Sequence, residues 1–294
     1  MATLQKRIRI DAPRSAVHHA LTDPTALRVW LAEHAEVDLP DRFQFWGRRT
    51  PDGDVPHQRL LHVDDSTLRF DWDLDGVTTN VDLALATETG ERESTLVTLT
   101  QTEVPGWPEM LTTPGSRSLM HTYWALALAN LADHVEGRQP VAHCDFTSKE
   151  LRTEVLIDAD RQAVYESLTE PEHFARWSGV KVDVELYPGG RWAMGGFEAG
   201  GYPAHITAIE PGHSMSIDWG EMVQTWELAD SGGRTRLTFV HSGFDETQPA
   251  PYDGWLGLLG GLAELRRYHE SKNWSPRWVE VKVDGLPDEL MTIN

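Results

Sequence analysis

The chain has 294 residues, with 26 Lys and Arg set against 46 Asp and Glu for a formal charge of −20. That balance repels phosphate and anionic lipid, so it argues against nucleic-acid and membrane-surface partners. The length suits two domains, the 12 Trp, 8 Phe and 6 Tyr exclude a disordered composition, and the lone Cys144 excludes an internal disulfide or a cysteine-built zinc site.

In chain order, Ile8 and Ile10 alternate with Arg7 and Arg9, which predicts a half-buried opening strand with no signal-peptide character. No run approaches the roughly 18 apolar residues of a membrane span, and a cytoplasmic location is the expectation. Asp11 is placed to cap a first helix with Pro13 in its first turn, and Pro24 suits the opening of a second. Strands follow through Asp71-Trp72 to Gln101. Met120, Trp124, Leu128, Leu131 and Val135 then carry the spacing of a long closing helix, flanked by Tyr123, Asn130 and His134. The first domain is read as residues 1–137 and a linker as 138–148.

Residues 149–272 repeat this order. Ile157-Asp158-Ala159 matches Ile10-Asp11-Ala12, Leu168-Thr169-Glu170-Pro171 matches Leu21-Thr22-Asp23-Pro24, and Trp177 matches Trp30. The match runs without a gap to Trp219 against Trp72. It then shortens, so that Thr235 aligns with Thr95 and Trp255 with Trp124. Asp158 is read as a helix cap and Thr169-x-x-Glu172 as a capping box. Val182, Val184 and Leu186, then Met215, Ile217 and Trp219, then Leu237 and Phe239 alternate with polar residues, as in an antiparallel sheet with one apolar face. Gly195 to Gly201 reads as a hairpin loop. Trp255, Leu258, Leu259, Leu262 and Leu265 form the second helical stripe, which must lie on the apolar face of its sheet. In the extension 273–294, Val279, Val281 and Val283 alternate with Glu280, Lys282 and Asp284, which suits an added strand or an intramolecular domain–domain contact.

Leu168-Thr169-Glu170-Pro171-Glu172-His173-Phe174-Ala175-Arg176-Trp177, Pro188-Gly189-Gly190-Arg191-Trp192, Thr235 to Phe244, and Gly254-Trp255 together resemble the Hsp90-ATPase-activator-homologue (AHSA1-like) branch of the START-like, or SRPBCC, superfamily. The first copy is similar but lacks the Gly-Gly-Arg motif. The resemblance implies an α+β fold of two tandem helix-grip domains, each a curved antiparallel sheet around a long C-terminal helix with a cavity between. It implies no shared catalytic set. It admits three functions: binding of a hydrophobic, aromatic small molecule, for sequestration or self-resistance in natural-product (enediyne-type) metabolism; a polyketide aromatase/cyclase-like enzyme; or an Hsp90 co-chaperone-like protein-binding module.

Nucleophile-elbow, HExxH, phosphate-loop and dinucleotide motifs are absent, the histidines are scattered, and nothing points to a metal or a cofactor. By alternation His241 follows Leu237 and Phe239 inward, where a core histidine satisfied by its neighbours competes with a ligand hydrogen-bonder or general acid/base. The candidate ligand-binding residues are Trp219, Trp226, Phe239, His241 and Trp255 in the second copy and Trp72, Gln101, Tyr123 and Trp124 in the first, with His241 the candidate catalytic group. Trp46, Trp107, Trp192, Trp226, Trp274 and Trp278 have no repeat partner and divide between core packing and pocket lining.

Overall fold

The computed structural model describes residues 2–88, 93–198 and 204–287. The chain forms two compact units, Met1–Thr147 joined by Arg277–Leu286, and a second built on Ser148–Pro276. The first runs β1 (Ala2–Ile10), α1 (Arg14–Thr22), α2 (Pro24–Trp30), β2 (His34–Asp38), β3 (Arg42–Trp46), β4 (Gln58–Val63), β5 (Thr67–Leu74), β6 (Val77–Glu88), β7 (Ser94–Val104), α3 (Trp107–Met110) and α4 (Met120–Val135). The second runs β8 (Leu151–Ile157), α5 (Arg161–Thr169), α6 (Pro171–Ser178), β9 (Val182–Val184), β10 (Arg191–Met194), β11 (Ala204–Glu210), β12 (Ser214–Asp218), β13 (Val223–Ser231), β14 (Arg234–Ser242) and α7 (Tyr252–Glu270). The last strand is β15 (Trp278–Val283).

Both main sheets are antiparallel, ordered β15-β1-β7-β6-β5-β4 and β8-β14-β13-β12-β11-β10-β9. Alternation sets their faces: β5 buries Leu68, Phe70, Trp72 and Leu74, and β8 buries Leu151, Thr153, Val155 and Ile157. The apolar stripe of α4 packs against β1, and that of α7 against β8. Each unit is therefore a helix gripped by a sheet. No helix among the described residues is long and apolar enough to cross a membrane.

The duplication extends to individual hydrogen bonds. The indole Nε1 of Trp30 donates to the Ala20 carbonyl at 2.9 Å, and that of Trp177 to Ser167 at 2.8 Å. Thr95 and Thr235 donate their hydroxyls to the carbonyls of Ala12 and Ala159, both at 2.8 Å. The backbone N–H groups of Asp11 and Asp158 reach the carboxylates of Glu136 and Glu270, both at 3.0 Å, tying each first strand to the end of its closing helix. The tryptophan and threonine bonds satisfy polar groups that folding buries, so these positions anchor the fold.

Several local expectations are corrected. Asp11 and Asp158 do not cap helices. The helix α1 opens after Pro13 with no side-chain cap, and in α5 the cap is Asp160, whose carboxylate accepts the Gln162 N–H. The Thr169 capping box does not form, because α5 continues through Thr169 and its hydroxyl donates back to the Tyr165 carbonyl. The strand predicted through Leu186 stops at Val184. Glu185 turns away to hold Arg191 at 2.7 Å, which leaves Leu186 exposed. Gly195 and Gly196 follow β10 with φ of 79° and 96°, the Phe197 N–H donates to the Asp183 carboxylate at 2.9 Å, and residues 199–201 of that stretch lie outside the described residues.

The extension finds its place as an edge strand. β15 pairs with β1, Leu4 opposite Val283 and Lys6 opposite Val281. Just before it, the Arg277 guanidinium lies within 3.1 Å of Asp133 on α4, both side chains almost wholly buried, while Arg138 holds the same carboxylate at 3.0 Å.

Candidate functional site

Three features of the second unit converge at one end of its sheet. The hairpin Trp219–Met222 joins β12 to β13, with Gly220 at φ 87° making the tight turn. The strand β14 ends at His241 and Ser242, and α7 begins at Tyr252, placing Gly254 and Trp255 beside them. His241 lies opposite Gln224 of β13 and Leu151 of β8, and directly opposed residues share a face of the sheet. It therefore points inward along the line of Leu237 and Phe239.

The His241 ring meets Trp255 edge to face, centroids 5.1 Å apart, and its other neighbour on α7 is Gly254. The residue is 3% exposed, and neither Nδ1 nor Nε2 has a hydrogen-bond partner. Burial lowers its pKa to about 4, so at neutral pH the ring is uncharged and carries one N–H donor and one bare acceptor. No carboxylate orients it, which separates it from a general base of the triad type. The Trp219 side chain is half-buried, and its indole N–H also lacks a partner. Trp226 and Phe239, cross-strand neighbours, are buried deeper, with Trp226 packed on Tyr165 at 5.7 Å.

The first unit solves the same end differently. Gln101 occupies the position of His241 and is fully engaged: the Trp124 Nε1 donates to its carbonyl at 2.7 Å, and its amide donates to Thr79 at 2.9 Å. Thr79 in turn donates to the Trp72 carbonyl at 2.8 Å. Where α7 has Gly254, α4 has Tyr123, whose ring lies 5.6 Å from Trp72 and 5.3 Å from Trp124. Phe45 adds a further edge-to-face contact to Trp72 at 5.1 Å. The Tyr123 hydroxyl lacks a hydrogen bond of proper geometry, although Thr50 is near, and burial raises its pKa above the ordinary phenol value.

Where the second unit turns at Trp219–Met222, the first extends its hairpin through Leu74 to Val77. The Asp75 carboxylate at its tip accepts the backbone N–H groups of Ser116 and Arg117, both at 2.9 Å, just ahead of α4. The shorter hairpin of the second unit carries no counterpart of that staple among the described residues.

The unmatched tryptophans pack on neighbours. Trp46 meets His34, Trp107 meets His121, Trp192 meets Phe174, Trp274 meets Tyr268, and Trp278 lies over Lys6. Asn130 uses its amide on the backbone of Val141, which fixes the segment after α4. A cleft of about 630 Å³ opens on the first unit, walled by Asp52, Asp54, His57, Asp73, Asp75 and Phe146. None of Trp72, Gln101, Tyr123 or Trp124 lines it. Its carboxylates are engaged by Ser116, His57, Thr78 and the backbone of Arg117, and no metal-competent cluster occurs among the described residues.

Met222 and the short hairpin escape a reading of chemistry-bearing residues. Their signal is the shortened spacing between Trp219 and Thr235 relative to Trp72 and Thr95, while Gly254 shows itself by aligning with Tyr123 beside the matched Trp255 and Trp124.

The chain matches the activator of Hsp90 ATPase homolog 1-like protein family over residues 11–136 and again over 158–266. No curated protein matches it. Among solved structures, EF2215 from Enterococcus faecalis is 19% identical with a TM-score of 0.37, over 43% of this chain and 74% of that one. CalU16 from Micromonospora echinospora is 22% identical with a TM-score of 0.35, over 42% of this chain and 76% of that one. DynU16, from the dynemicin biosynthetic locus, is 16% identical with a TM-score of 0.34, over 91% of this chain and 99% of that one. Because the two matched segments span most of both repeats in order, the chain belongs to the activator of Hsp90 ATPase homologue 1-like family, as a tandem pair of its START-like domains.

Proposed function

We propose that the protein binds a hydrophobic, aromatic small molecule in the second unit, at the end of the helix–sheet interior where His241 lies. The observation that supports this is the pair of buried, unpartnered ring nitrogens on His241 beside a glycine, where the first unit places a fully bonded Gln101 beside a tyrosine. A buried polar group without a partner costs roughly 1–3 kcal/mol, which a guest with a hydroxyl or carbonyl recovers by bonding to it. Trp255, Trp219 and Met222 supply flat and pliable apolar walls around that polar point. With a neutral imidazole and no orienting carboxylate, the site fits holding and sequestering a guest better than turning it over. Self-protection against a reactive aromatic metabolite is the role we assign to it.

The test is calorimetric titration with 1-naphthol, an aromatic ring bearing one hydroxyl. Saturable binding is expected, with 1-naphthol recovered unchanged. His241→Phe keeps the ring and removes its hydrogen bonds, so binding weakens about tenfold, the worth of one net hydrogen bond. Gln101→Leu leaves binding unaltered. Binding that is absent, or equal in wild type and His241→Phe, would overturn the reading.

A further inference from the structure

Strand β1 carries one basic residue on the face its alternation reserves for apolar side chains. Leu4, Lys6, Ile8 and Ile10 all point inward, and Lys6 is only 2% exposed. Across the ladder it faces Leu99 of β7 and Val281 of β15. Its nitrogen stands 5.5 Å from the centre of the Trp278 ring. From the first turn of α4, His121 is close enough to feel its charge, and the His121 ring packs edge-on against Trp107 at 5.9 Å. The Nδ1 of His121 is buried without a partner. Trp107, His121 and Trp278 are half-buried, so this aromatic box reaches the surface.

Among the described residues Lys6 has neither a hydrogen bond nor an ion pair. The nearby acid of β15, Glu280, follows the outward alternation and is held by Arg7 and Lys282. Among the described residues no carboxylate pairs with the amine, and the titratable group facing it from α4 is His121, which feels its charge. The fold does not require a lysine here, because β8 places Thr153 at the matching position. A buried cation without a counter-ion is a liability that structure alone does not explain.

We propose that Lys6, lying over Trp278 with His121 and its packing partner Trp107 nearby, is a carbonyl-reactive amine that takes an aromatic aldehyde as an imine. The site is separate from the one at His241 and belongs to the other unit. The free amine adds to the carbonyl carbon, the C–N bond forms, and the carbonyl π pair moves to oxygen. A proton passes from nitrogen to that oxygen, for which the neutral His121 ring is the available relay. The C–O bond then breaks, and the oxygen leaves with the second amine proton as water. Amine and aldehyde thus become imine and water with no oxidant or reductant. Burial favours the reactive form, lowering the Lys6 pKa from 10.5 to about 7.

The test is labelling of the intact protein with benzaldehyde and cyanoborohydride at pH 7, followed by peptide mass mapping. At that pH an ordinary lysine of pKa about 10.4 is roughly 0.04% free amine against about half of Lys6, a difference on the order of 1000-fold. Hindered access reduces the advantage, so Lys6 is expected to label at least about tenfold faster than each exposed lysine, Lys149, Lys181, Lys272 and Lys282. Its rate should reach half-maximum near pH 7, and the preference should vanish in urea. Lys6→Thr, borrowed from the second unit, should fold and lose the label. Labelling of Lys6 no faster than the exposed lysines, or a preference that persists in urea, would overturn the proposal.

Discussion

Gly254→Tyr asks whether the proposed guest sits where the second unit lacks the side chain that the first carries at Tyr123. The substitution installs on α7 the residue that α4 carries at Tyr123. A Cβ built on Gly254 comes within 3.2 Å of the Met222 terminal methyl and 3.9 Å of His241 Cε1. A methionine methyl rotates away at little cost, so the backbone need not move. The new ring would lie over His241, as Tyr123 lies against Trp72 and Trp124. Denying a guest one ring of burial, about 100 Å² at about 25 cal/mol per Å², removes about 2.5 kcal/mol, close to a 70-fold loss of affinity. The fold should not suffer, since tyrosine is a better helix residue than glycine by about 0.5 kcal/mol. Titration with 1-naphthol reads the affinity and thermal unfolding reads the fold. A folded Gly254→Tyr protein that binds 1-naphthol as tightly as wild type would refute the placement of the guest beneath this turn of α7.

Two further outcomes bear on stability. Asp133→Ala removes the carboxylate shared by buried Arg277 and by Arg138, and should cost about 3–5 kcal/mol in urea unfolding of the first unit, with faster amide exchange along β1 and β15; unchanged exchange would show that this ion pair does not hold the edge strand. The acid response follows from His143, His241 and His269, each lowered by burial from 6.5 to about 4. Their folded forms refuse a proton that the unfolded chain accepts, so stability is full above pH 6.5 and falls as pH drops toward 4. Urea midpoints at pH 7, 6 and 5 should decline in that order, less steeply in His241→Leu, and a flat series would contradict the burial of these rings.

The tandem fold was legible because burial repeats at fixed positions. Trp30 and Trp177, Thr95 and Thr235, and the two helical stripes each report the same packing twice, and period-two alternation located the sheet faces between them. The helix caps were not legible. Thr169 fits a capping box locally, but the preceding helix runs on through it and takes its hydroxyl, a choice made by packing and not by the tetrapeptide. The partner of β15 was equally hidden, since alternation at Val279, Val281 and Val283 specifies a strand without specifying its neighbour. Within the candidate site, alternation turned His241 inward. Gly254 stood in a quoted motif and the repeat visibly shortened after Trp219, but what each leaves out became apparent only when both copies were compared at the same depth. Lys6 sits at an inward position of its strand, yet a lysine reads by default as the solvated face.

The comparison of the two copies also bears on why His241 is left bare. A domain is stable by only about 5–15 kcal/mol, and two unpartnered ring nitrogens weigh roughly 1–3 kcal/mol each against that margin. The chain already contains a solution to this position, in which the Gln101 amide links Trp124 to Thr79 and both of its ends are bonded. Both units leave an indole N–H unbonded, at Trp72 and at Trp219, so that feature does not distinguish them. The distinguishing change is concerted: the amide becomes an imidazole with nothing to bond, the adjacent tyrosine becomes a glycine, and the hairpin that Asp75 staples over the end is cut back. Drift at one position could produce any of these singly. On the function proposed above, their coincidence around one ring has a single physical economy, a dry polar point kept for a partner that the chain itself does not provide.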